Sequence, residues 1–124
     1  MVRSITKFEN PTTLNNQIKL KRYNFIAGGR IEEFNEKIIE GLNIFKEEGM
    51  EVNNIYYQRV CELSSLSENL NITSIDEFNR VMAFVDVAFF MIRKGINNLD
   101  FECMISGLYG LDNDLNNFKL EKIN

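Results

Sequence analysis

Between Val81 and Ile92 the chain is apolar at every position except Asp86. Such a run is too short for the ~20 residues that a bilayer-spanning helix needs, so it is read as a core helix and not a membrane anchor. Its main face is Phe78, Val81, Met82, Val85, Phe89 and Ile92, and a second face is formed by Phe84, Val87, Phe90 and Met91. A helix apolar on two faces is expected to be covered on both. Asn79, Asp86 and Arg93 recur at seven-residue spacing and form a narrow polar seam between the faces. Asp86 is expected at the solvent edge of that seam; the other reading is a buried contact that fixes helix register, with Arg93, Arg80 or a backbone donor as its partner.

The ends of this helix are also marked. Ser74-Ile75-Asp76-Glu77 fits a capping box, and Arg93-Lys94-Gly95 places two cations and a glycine at the far end. Upstream, Ile31, Phe34, Ile38, Leu42 and Phe45 recur at helical steps, which predicts a helix over about Arg30 to Glu48 with Gly49 as a left-handed stop. Gly41 beside that stripe is expected to admit a neighbouring helix closely. A second helix follows from about Glu51 and frays after Ser64. Beyond Asn97-Asn98, a short helix from Leu99 to Tyr109 is expected to stop at Gly110, and Asp112 then caps a final helical piece.

These elements predict a mainly α fold, a small bundle of about four to five helices. At 124 residues, with 44% hydrophobic and 26% charged side chains, the chain matches one domain with one core. Residues 28–124 are assigned to the helical domain and 1–27 to a basic N-terminal arm. The arm admits two readings. Ile5 to Phe8 with Gln17 to Ile26 could pair as a β-hairpin, whereas Asn10-Pro11 is a cap followed by a first-turn proline and would start a helix. The extended reading is preferred, with Gly28-Gly29 as a flexible joint.

Charge divides along the same boundary. Through Arg30, six cations (Arg3, Lys7, Lys19, Lys21, Arg22 and Arg30) stand against Glu9, a balance of +5; with a net charge of −4 the remainder carries −9. The arm is expected to dock on its own acidic domain or to steer a charged partner.

Chemistry is sparse. The chain has no histidine, which removes the usual general base, zinc ligand and partner of a Ser or Cys nucleophile. Cys61 and Cys103 are read as small buried hydrophobes, and no metal or other cofactor is expected. Glu33, Glu36 and Glu40 read as a solvated helix face. Asp112-Asn113-Asp114 begins like a calcium loop but lacks its glycine at Asn117 and its glutamate at Ile123. No catalytic residue is assigned. The binding candidates are Lys19, Lys21, Arg22, Tyr23, Phe25 and Arg30, where cations alternate with apolar and aromatic side chains.

The expected function is that of a non-enzymatic cytoplasmic protein that binds another protein. No secretory signal is read at the N-terminus, and no membrane association is expected. The Asn-, Ile- and Lys-rich composition suits AT-biased coding and points to a phage or mobile-element inhibitor of a bacterial defence nuclease, in the manner of anti-CRISPR proteins. The alternative is a nucleic-acid-associated regulator that uses the basic arm. A homodimer that covers the doubly apolar helix is a further expectation.

Overall fold

The computed structural model describes residues 11–123 as four α-helices, α1 (Pro11–Glu47), α2 (Ile55–Ser67), α3 (Ile75–Asn97) and α4 (Phe101–Ile123), with no strand among the described residues. Successive helices run in opposite directions. The pair Asn35 and Ser64 and the pair Asn43 and Tyr57 set α2 antiparallel to α1, and a three-residue turn folds α4 back on α3. The core gathers the stripe Ile31, Phe34, Ile38, Leu42 and Phe45 with Val81, Val85, Phe89 and Ile92 of α3 and Met104, Leu108, Leu111, Leu115 and Phe118 of α4.

The largest departure from the sequence reading is α1. Gln17–Ile26, expected as the second strand of a hairpin, is helical, and α1 runs unbroken across Gly28-Gly29 instead of bending at a joint there. The proposed first strand, Ile5 to Phe8, lies outside the described residues. Apolar and polar residues alternate over this stretch, but Tyr23, Ala27, Ile31 and Phe34 also continue one helical face, and helical period wins because Tyr23 finds Phe78 to stack on at 4.7 Å. Asn24 then clamps the helix to the α2–α3 link: its amide donates to the Ile72 carbonyl at 3.0 Å and its oxygen accepts from the Ile72 N–H at 2.8 Å.

Two helix ends show why one terminus was legible and another was not. After α1, Gly49 takes φ +94°, and the N–H groups of Gly49 and Met50 return to the carbonyls of Lys46 and Phe45, a Schellman turn with glycine at its left-handed position. After α3 the same turn is built on Leu99, at φ 50°, with Leu99 and Asp100 donating to Ile96 and Gly95. Gly95 is thus not the stop. A Cβ on it would lie 2.4 Å from the Met104 backbone nitrogen, so this glycine lets α4 start against α3. Gly107 allows the same approach one side chain further along, where a Cβ would meet Ile92 and the Ala88 carbonyl. Gly41 is packed against Ile96 and Met104, as its place beside the stripe suggests.

The expected stop at Gly110 is absent, and α4 runs on through Asp112 to Ile123. Its continuity follows from Met104, Leu108, Leu111, Leu115 and Phe118, whose burial on one face outweighs about 1 kcal/mol of poor helix propensity at one glycine.

At the start of α3, Ser74 Oγ accepts from the Glu77 N–H at 3.1 Å. The reciprocal half of the box is displaced by one residue. Glu77 accepts from the N–H and hydroxyl of Thr73, and Lys122 at the end of α4 closes on the same carboxylate at 2.6 Å. Burial works against the Glu77 charge, but the hydrogen bonds from Lys122 and Thr73 outweigh it and hold the carboxyl below its ordinary value.

Two predictions follow from these contacts. Gly29→Ala and Gly110→Ala, at helical sites with open space around the missing Cβ, should each raise stability by about 0.5–1 kcal/mol, whereas Gly95→Ala should cost about 1–3 kcal/mol, all read from urea midpoints. Because the folded state depresses Glu77, its stabilisation is complete above the ordinary carboxylate range and disappears as pH falls through the lowered value. Glu77→Gln should therefore be less stable near neutrality, with the deficit shrinking on acidification; a deficit independent of pH would assign the loss to packing.

Candidate functional site

The binding candidates on α1 separate into two groups once the segment is helical. Tyr23 turns inward against Phe78. Arg30 leans on α3, its guanidinium 4.1 Å from the Phe89 ring centroid and 3.4 Å from Asp86 Oδ1. These two serve the α1–α3 contact. Lys19, Lys21, Arg22 and Phe25 face solvent, Phe25 at 81% exposure, and among the described residues no salt bridge engages the three cations. The alternation that would have put Lys19 and Lys21 on one side of a strand instead spreads Lys19, Lys21 and Arg22 around the outer half of a helix.

The polar seam of α3 is exposed along its length. Asp86 reaches solvent, as the burial rule implied, but its partner is Arg30 from α1 and not a residue of α3. Arg93 lies 4.7 Å from the Phe89 centroid, so that ring, 4% exposed, has guanidinium groups from two helices over it. Asn79 is exposed.

The second apolar face of α3 corrects the expectation that the helix is covered on both sides. Val87 and Phe90 are 64% and 63% exposed, flanked by the half-buried Phe84 and Met91. The cause is helix number: α1 and α4 occupy the two flanks of α3, α2 packs on α1 and α4, and among the described residues no further helix remains for the outer side. Between α3 and α4 the surface dips into a shallow groove of about 50 Å³, floored by Ala88, Gly107 and Gly110 and rimmed by Phe84, Val87 and Met91. On its α4 side the groove is lined by Ser106, Leu111 and Asp114, with Gly107 and Gly110 leaving gaps between them.

A polar cleft of about 320 Å³ between α2 and α4 was not anticipated. Asp112, 8% exposed, accepts from Arg59 at 3.2 Å and from Asn116 at 3.3 Å, and Arg59 also pairs with Glu62 at 3.0 Å and lies over the Tyr109 ring. Burial pushes the Asp112 carboxyl above its ordinary value; Arg59 opposes the shift and Glu62 reinforces it. Burial likewise disfavours the Arg59 charge, but Asp112 and Glu62 overcome it and raise its pKa. Each oxygen of Asp112 already has a donor from within the fold, so the cluster ties α2 to α4. A continuous α4 places Asp112 one step from Leu108, Leu111 and Leu115, and that register is the sequence signal that the assumed break at Gly110 concealed.

Neither cysteine is buried: Cys61 is exposed, and Cys103 is half-buried with its thiol 3.4 Å from the Met91 carbonyl. No cluster of metal-ligating side chains occurs among the described residues. None of their helices is long and apolar enough to cross a membrane. No protein-family model matches the chain, and comparisons with curated proteins and with solved structures give no match.

The raised carboxyl of Asp112 has the opposite consequence to Glu77. The fold favours its protonated form, so its contribution is greatest below the ordinary carboxylate range and is lost as pH rises through the raised folded value. Asp112→Asn keeps the shape without the titration, so the urea midpoint of the parent measured relative to this variant should fall as pH rises through the raised value.

Proposed function

We propose that the protein acts by binding another protein through the outer face of α3 and the adjoining α3–α4 groove, without catalysing a reaction. The observation that carries this reading is the exposure of Val87 and Phe90 on the same helix whose opposite side builds the core. Large apolar side chains grouped beside a glycine-floored groove give an interface its desolvated centre, and the half-buried Asp114 and exposed Lys94 nearby supply a polar rim. A partner helix that presents small apolar side chains is the occupant suited to a groove of about 50 Å³. A bacterial defence nuclease blocked by steric occupation is the partner class that the composition supports, and the cytoplasm is the compartment in which it would be met.

Capture from the native host with the protein and with its Val87→Ser, Phe90→Ser variant tests the reading. Both positions are exposed, so the variant should fold with unchanged helix content. The expected result is one stoichiometric partner retained by the parent and bound at least about tenfold more weakly by the variant. Equal retention by both, or recovery of nucleic acid alone, overturns it.

A further inference from the structure

The solvent face of α1 changes sign along its length. From Leu14 to Phe25 it presents Leu14, Ile18, Lys21, Arg22 and Phe25, with Lys19 at its margin; from Glu32 to Glu40 it presents Glu32, Glu33, Glu36 and Glu40, all exposed. Of these, Glu33 is 3.8 Å from Arg30, Glu40 is 3.3 Å from Lys37, and Glu32 accepts from Ser67. At 100° per residue, Ile18, Phe25, Gly29 and Glu36 fall within one narrow strip. The basic half also extends past the bundle. Tyr23 is the first α1 side chain stacked on α3, and from Leu14 to Arg22 only Leu20 is shielded from solvent.

We propose that α1 is a self-association surface on which a second copy of this chain packs its own α1 antiparallel, the basic half of each lying along the acidic half of the other. A two-fold axis beside Ala27 brings Phe25 of one copy over Gly29 of the other, Arg22 against Glu33 and Lys21 against Glu32, and symmetry makes every contact twice. Gly29 has no atom within 4 Å of its missing Cβ, which leaves room for the ring of Phe25. Ile18 then lies on the methylene stem of Glu36. Parallel pairing sets like charge on like and is disfavoured. This surface is separate from the α3 face of the proposed function.

Light scattering after size exclusion, at about 100 µM protein and about 50 mM salt, should give the mass of two chains, falling towards one at about 0.5 M salt as screening increases. Lys21→Glu with Arg22→Glu, and separately Glu32→Lys with Glu33→Lys, should each weaken association at least about tenfold, and mixing the two variants should restore the two-chain mass. Circular dichroism of each variant checks that helix content is retained. Val87→Ser with Phe90→Ser should leave the mass unchanged, which keeps failure here distinct from failure of the α3 reading. A one-chain mass for the parent at low salt, a two-chain mass indifferent to charge reversal, or a mixture that stays monomeric overturns the proposal. So does a monomer whose Lys21 and Arg22 are needed only to bind a single-stranded oligonucleotide.

Discussion

The approach of α4 to α3 at Gly95 and Gly107 is the constraint from which the rest of the arrangement follows. With backbone in reach of backbone at both points, α4 cannot roll around α3, and the buried line Val81, Val85, Phe89 and Ile92 is turned towards α1. That choice fixes what is left over. Once α1 fills one flank and α4 the other, Val87 and Phe90 have nowhere to go but out. The exposed face is thus a geometric result of the tight helix pair, since four helices of these lengths supply only enough apolar surface to cover one long side of α3 and its flanks.

Where sequence signals were local and mutually consistent, they located structure well. The stripe from Ile31 to Phe45 is the α1 core line, Gly49 is the left-handed stop, and Ser74 caps α3. The errors occur where two local rules conflicted and tertiary packing decided. Gly110 carried a stop signal, but the stripe on either side of it buried more apolar surface than one glycine could forfeit. Leu99 carried no stop signal and yet adopts φ 50°, because the close start of α4 at Gly95 demands a sharp reversal there. Gln17–Ile26 alternates like a strand, and only the presence of Phe78 and the Ile72 backbone in space makes its helical face the better one. None of those partners is near in sequence, so the pattern alone could not rank the choices.

The candidate surfaces were legible to different degrees for the same reason. The cations and Phe25 were visible as a patch because they are contiguous, whereas the Arg59 and Asp112 cluster joins residues fifty-three positions apart. Asp86 shows the intermediate case: its exposure followed from the rarity of buried charge, but its partner Arg30 lies on another helix. Two carboxylates with opposite shifts, Glu77 lowered and Asp112 raised, show what decides the sign. Glu77 is served by the Thr73 N–H and hydroxyl and by Lys122, while Asp112 is more deeply buried and shares its cation with Glu62.

The overhang of α1 links stability to recognition. No acidic residue occupies its first turn, and its Lys19, Lys21 and Arg22 do not complement the positive end of the helix dipole. A peptide of this length alone would be marginally helical in water. What sustains it is propagation from the anchored turn, where Tyr23 stacks on Phe78 and Asn24 grips Ile72, so nucleation has already been met within the bundle. Propagation alone leaves the helix less secure with distance from that turn, with Leu14, Ile18 and Phe25 in water. An acidic surface laid along it removes that apolar area from solvent and neutralises the cations together, and the acidic half of the same helix is a surface with that charge and length.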